Sequence, residues 1–147
     1  MKKLVSILFL CAATVFANAQ VDKILGYWAS VDEETNQEES IFYIYKATDG
    51  KYYGKLVKLL DRTKGTTCDK CTGADKDKPL EGLVLIRGLV EDGKILTGGK
   101  ITDPKSGKVY NLKLSIDEKN GNLKVRGSLD KMGALGRTQY WIRRKGL

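Results

Sequence analysis

The sequence contains no histidine, and among its 147 residues there are only two prolines and three cysteines. Without histidine there is no Ser-His-Asp or Cys-His nucleophile, no imidazole acid-base group and no His-ligated metal centre. So few cysteines also leave the usual soft-metal sites short of ligands. No apolar run reaches the roughly 20 residues that a membrane-crossing helix requires. What is present is an ordinary globular mixture, 41% apolar and 30% charged, in a chain long enough for one domain. These absences favour binding over chemistry, and no cofactor is expected.

Lys2 and Lys3 precede an apolar stretch from Leu4 to Phe16, which is followed by Ala17-Asn18-Ala19 and Gln20. A charged start, an apolar middle and a small-x-small site predict a secretory leader over residues 1–19. Cys11 follows Leu10 rather than a small residue, which argues against a lipid-anchored form. The expected product is a single domain over residues 20–147, exported to the periplasm or secreted. Loss of Lys2 and Lys3 lowers the formal charge from +8 to +6 and leaves only Cys68 and Cys71. Asp32, Glu33, Glu34, Glu38 and Glu39 form an acidic cluster, whereas residues 40–147 carry 23 bases against 12 acids. In an exported protein such a basic body suits an anionic envelope surface before nucleic acid. Lysines spread along short strands also serve solubility.

Beyond the leader, only Val21 to Leu25 suggests a helical turn. The remainder consists of short strand-like runs separated by turn residues. Strands are predicted at Gly26 to Val31, Glu39 to Lys46, Lys51 to Leu60, Gly82 to Gly88, Lys94 to Thr102, Lys108 to Ile116, Asn122 to Ser128 and about Arg137 to Arg144. Thr48-Asp49-Gly50 suits a tight hairpin with a two-residue primed turn, and Asn120-Gly121 is the strongest hairpin signal. In the Glu39 to Lys46 run, Ile41, Tyr43 and Tyr45 share one face while Phe42 and Ile44 share the other, so both faces are partly apolar. The Lys108 to Ile116 run is cleaner, with Tyr110, Leu112, Leu114 and Ile116 on the expected inner face. One long polar connection, Asp61 to Glu81, holds both remaining cysteines.

About eight strands with short connections and no crossover helices predict an all-β fold. An antiparallel meander of that size removes its edges by closing into a barrel, just wide enough to be filled or to hold one small ligand. Lysines on the outward positions argue against a membrane-spanning barrel.

Gly26-Tyr27-Trp28 resembles the Gly-x-Trp start of lipocalins, in which the tryptophan closes one end of the barrel beneath a basic residue of the last strand. The resemblance implies that role for Trp28, with Arg137 or Arg143 from the closing segment as its partner. We take Trp28, Arg137 and Trp141 as the closing set. More specifically, the chain resembles the bacterial exported DUF2147 family. The resemblance is carried by Gly26-x-Trp28, Tyr53-Gly54-Lys55-Leu56-Val57, Pro79-Leu80-x-Gly82-Leu83, and Gly98-Gly99-Lys100-Ile101-x-Asp103-Pro104-x-x-Gly107-Lys108-x-Tyr110. Leu123-x-Val125-x-Gly127 and Leu135-Gly136-Arg137-Thr138-Gln139-x-Trp141 complete it. It implies a lipocalin-like barrel and an exported location, and brings no established activity.

Tyrosine offers an apolar ring with a polar tip. Tyr43, Tyr45, Tyr53, Tyr110 and Tyr140 are therefore the candidate lining of a pocket for a small apolar or lipidic ligand, set against their alternative role as ordinary strand residues. Cys68-Asp69-Lys70-Cys71 has three readings. A structural disulfide would be worth about 2 kcal/mol by loop entropy. The second is a Cys-x-x-Cys redox pair and the third is half of a zinc site. The expected protein is a monomeric, non-catalytic ligand-binding barrel of the envelope. The alternatives are a structural or stress-related envelope protein with a basic interaction surface, and a thiol oxidoreductase.

Overall fold

The computed structural model describes residues 20–147. The expected leader and Cys11 lie outside the described residues. Eight strands follow one another: β1 (Gly26–Val31), β2 (Glu38–Lys46), β3 (Tyr52–Leu59), β4 (Val84–Asp92), β5 (Ile95–Thr102), β6 (Val109–Ile116), β7 (Leu123–Ser128) and β8 (Gly136–Arg144). Each pairs antiparallel with the next, and β1 pairs with β8, so the sheet closes into the expected barrel. One 3-10 turn, Gly73–Asp75, interrupts the long connection.

Two local expectations are corrected. The fourth strand does not stop at Gly88 but runs to Asp92, past a left-handed glycine at which the backbone bulges. The hairpin between β2 and β3 has a three-residue loop, residues 48–50, with the Ala47 N–H donating to the Lys51 carbonyl at 2.8 Å. A two-residue primed turn is therefore absent there.

The interior is filled. Trp28, Phe42, Ile44, Leu56, Ile86, Leu89, Leu96, Leu112, Leu114, Leu123, Val125 and Trp141 form one buried cluster inside the wall. Full burial of an aliphatic side chain of this size contributes about 2 kcal/mol, so this cluster is the main source of stability. Phe42 and Trp141 stack with ring centroids 4.6 Å apart.

The two ends differ. At one, the loops of residues 47–51, 93–94 and 117–122 surround the N-terminal turn, whose Val21 and Ile24 are fully buried. The Trp28 indole N–H donates to the Ile24 carbonyl at 2.8 Å, and the Arg143 guanidinium lies over the Trp28 ring at 4.0 Å. This end is closed. The other end carries the connections of residues 32–37, 60–83, 103–108 and 129–135.

Candidate functional site

A hollow of about 360 Å³ opens at this second end. Its floor is apolar: Leu56 and Leu59 from β3 and Leu80 from the long connection. Alternation along β3 turns Leu56 inward opposite Phe42, and a register shift between Ile41 and Phe42 brings Leu59 inward opposite Ser40. The long connection is folded rather than loose. Cys68 N–H donates to Lys78 O at 2.8 Å, Leu80 N–H donates to Thr66 O at 2.9 Å, and Thr67 bridges to Pro79. Leu80 and Leu83 are thereby pressed onto the barrel mouth, where both are buried.

The rim is charged. Lys64 donates to Asp32 at 2.5 Å and to Glu39 at 2.7 Å, while Lys105 reaches the same Glu39 oxygen at 2.8 Å. Glu39 therefore joins two lysines that come from different loops. The hydrogen bond from Lys64, supported by the Thr35 and Glu34 backbone N–H groups, holds the Asp32 carboxyl well below the usual carboxylate range. Asp32 and then Glu39 raise the Lys64 ammonium above its ordinary value. Lys70 also lines the hollow and forms no ion pair among the described residues. Glu39, Asp61 and Asp69 line the hollow beside Lys64, Lys70 and Lys105, so the rim is mixed in charge, with Lys70 its one lysine outside an ion pair among the described residues. An apolar floor below such a rim can take an apolar body with a polar head.

Cys68 and Cys71 are bonded to each other, with their Cα atoms 5.3 Å apart, and both are buried. The bond anchors the bend of the connection against the turn between β5 and β6. At that contact Gly107, at φ +74°, leaves no room for a Cβ beside the Lys70 carbonyl.

The five tyrosines are not brought together as a lining. Phe42 and Ile44 point inward on β2, so Tyr43 and Tyr45 point outward and stack on the outer wall with centroids 5.6 Å apart. Tyr53 continues this stack from β3 at 6.2 Å from Tyr45, and Tyr27 extends it from β1 at 4.8 Å from Tyr43. Tyr140 lies outside on β8, exposed. Tyr110 alone faces inward, half-buried at the mouth end of β6, and it does not line the hollow. The closing set is also redrawn. Trp28 is capped by Arg143, whereas Arg137 lies at the opposite end, paired with Glu33. Trp141 is a core residue stacked on Phe42.

The site residues that sequence reasoning missed are Leu56, Leu59, Leu80, Lys64, Lys105, Glu39 and Asp32. The available signal was Leu80, a lone leucine beside Pro79 near the end of a polar connection. A second hollow, about 390 Å³, lies at the closed end beside Gln20, Lys23 and Arg143. It abuts the boundary of the described residues.

The geometry defines a class: an eight-stranded antiparallel barrel of lipocalin type, closed at one end and open at a capped mouth. In agreement, the chain is similar to protein HP1028 from the human pathogen Helicobacter pylori, described as belonging to the lipocalin family. The identity is 24%, 82% of each chain is covered and the TM-score is 0.71. The chain belongs to the family described as uncharacterized protein conserved in bacteria (DUF2147), whose model matches residues 26–143. Among curated proteins none matches the sequence.

Proposed function

We propose that this protein is an exported, non-catalytic carrier or sensor of a small amphipathic anion in the bacterial envelope, held at the barrel mouth. The observation that carries this reading is the hollow of about 360 Å³, with Leu56, Leu59 and Leu80 below a rim of mixed charge. There Glu39 holds Lys64 and Lys105, while Asp61 and Asp69 also face in and Lys70 is left without an ion pair among the described residues. Its size falls in the range of small-molecule sites, roughly 300 to 1,000 Å³. An acyl or aromatic body would lie on the leucines while its carboxylate or phosphate took Lys70 and competed with Glu39 for Lys105. The filled barrel interior keeps the ligand at the mouth instead of deep inside. The pairing of Cys68 with Cys71 fits an oxidising compartment and supports the exported location.

The test is displacement of 1-anilinonaphthalene-8-sulfonate by oleate, followed by fluorescence. The wild-type protein is expected to bind the probe and release it to oleate, and Lys105→Glu and Lys70→Glu should each weaken oleate about five-fold or more. Binding that neither substitution alters, or no oleate-displaceable binding, overturns the reading.

A further inference from the structure

Charge is divided unevenly around the barrel. Strands β1 to β4 contain four acids and four bases, whereas β5 to β8 contain seven bases and no acid. Three of those seven are engaged: Arg143 on Trp28, Arg137 with Glu33 and Arg144 with Glu38. The other four, Lys100, Lys113, Lys124 and Arg126, lie on the outer face of β5 to β7 and have no carboxylate partner among the described residues. Lys113 stands directly opposite Arg126. Lys100 stands opposite Arg87, whose own charge is met by Asp75 at 3.1 Å. Like charges in directly opposed cross-strand positions oppose folding. Lys113 and Arg126 meet backbone carbonyls instead of a carboxylate, so the net positive charge of β5 to β7 is not neutralised by an acid on those strands and suits an anion that is not part of the chain.

The connection between β7 and β8 folds toward this same wall. Its backbone is pinned from several sides. Arg126 donates to Gly133 O, Lys113 donates to Met132 O at 3.1 Å, and Asn111 donates to Leu129 O at 3.1 Å. Asp130 accepts from the Ala134 and Leu135 N–H groups at 3.0 and 2.7 Å. Yet the pinned loop holds its apolar side chains out in water: Leu129 is 70% exposed, Met132 85% and Leu135 67%. An apolar tip beside an acid-free cationic wall matches the two attractions that hold a protein to an anionic bilayer, insertion between headgroups and charge on phosphate.

We propose that the outer wall of β5 to β7, with the loop of residues 129–135, docks the protein onto an anionic phospholipid surface. Met132 and Leu135 enter the headgroup layer while Lys100, Lys124 and Lys131 meet phosphates. A soluble polyanion would use the cations alone and leave the apolar tip without a role.

The experiment is co-sedimentation of the whole protein with phosphatidylcholine vesicles, with and without about 30% phosphatidylglycerol. Binding is expected only with phosphatidylglycerol, and it should fall steeply between about 50 and 500 mM salt. Met132→Asp and Lys124→Glu touch no core residue. Each should weaken vesicle binding about five-fold or more, while Lys58→Glu on the opposite wall changes it less than about two-fold. Three results would overturn the proposal: failure of the wild type to sediment with phosphatidylglycerol vesicles, indifference of binding to Met132→Asp and Lys124→Glu with unchanged melting temperatures, or capture by heparin beads that depends on Lys124 while vesicles are ignored.

Discussion

The guanidinium carbon of Arg143 lies 4.0 Å from the centroid of the Trp28 ring, and the same side chain donates to the carbonyls of Leu25 and Lys23. One residue therefore ties the last strand to the first and to the turn that plugs the closed end. Burial pushes its pKa down from the ordinary guanidinium value, and it stays charged at neutral pH. Arg143→Ala is expected to lower the unfolding free energy by about 1 to 3 kcal/mol in urea titration. Arg137→Ala, removing an exposed pair with Glu33, should cost less than about 0.5 kcal/mol. Equal losses would move the brace away from Trp28.

Gly26 makes that contact possible. Its φ is +108°, and a Cβ there would lie 3.0 Å from Arg143 Nη1. Gly26→Ala combines backbone strain with displacement of the arginine, for a cost of about 1 to 3 kcal/mol. A thermal melt matching the wild type would show that the backbone relaxes at no cost.

The carboxyl of Asp130 is held below its ordinary value by the Leu135 and Ala134 N–H groups. A depressed carboxylate lends stability that is complete above its unfolded pKa, about 4, and is lost as pH falls through the lower folded value. The Ala134 and Leu135 amides should thus lose exchange protection below about pH 4, measured by hydrogen exchange relative to a core amide such as Leu114. Asp130→Asn should show reduced protection already at neutral pH and little further acid dependence. Protection at both amides that is the same in the variant would sink the idea.

Cys68→Ser removes a buried bond that lies within the long connection. The expected loss is about 2 kcal/mol, seen as a lower melting temperature, with no insulin-reduction activity in the wild type. Reductase turnover that vanishes in the variant would instead assign the pair to redox work.

Because Tyr43 and Tyr45 stack on the outer wall, Tyr45→Ala should cost about 0.5 to 1.5 kcal/mol and leave oleate binding at the mouth unaltered. A change in oleate affinity would bring the tyrosines back into the site.

The barrel was legible because hairpin turns and period-2 alternation are local. On β6 the inward set of Tyr110, Leu112 and Leu114 follows directly from spacing. β2 was ambiguous for a physical reason: Tyr43 and Tyr45 on one face and Phe42 and Ile44 on the other are both apolar enough to be buried. The choice is made by partners remote in sequence, Trp28 opposite Phe42 and Gly54 opposite Ile44, where a Cβ on residue 54 would strike the Ile44 and Ile86 side chains. The mouth was invisible for a related reason. Lys64 and Lys105 meet at Glu39 only once the long connection has folded back, and the lone Leu80 beside Pro79 hints at burial without saying what it packs against. Between Arg137 and Arg143, both on the inward register of β8, only the strand pairing decides which one reaches Trp28.

The seam between β1 and β8 rests on three opposed pairs, Tyr27 with Arg144, Trp28 with Arg143 and Ala29 with Ile142. Strand β1 therefore waits for β8, and until residues 142–144 have paired the sheet is an open ribbon with two unprotected margins. Closure is the most non-local event in the molecule and the one expected to limit the folding rate. In the interval the unclosed chain is a ready substrate for a holdase, and a C-terminus trimmed back through β8 would leave behind a sticky sheet instead of a slightly weakened barrel.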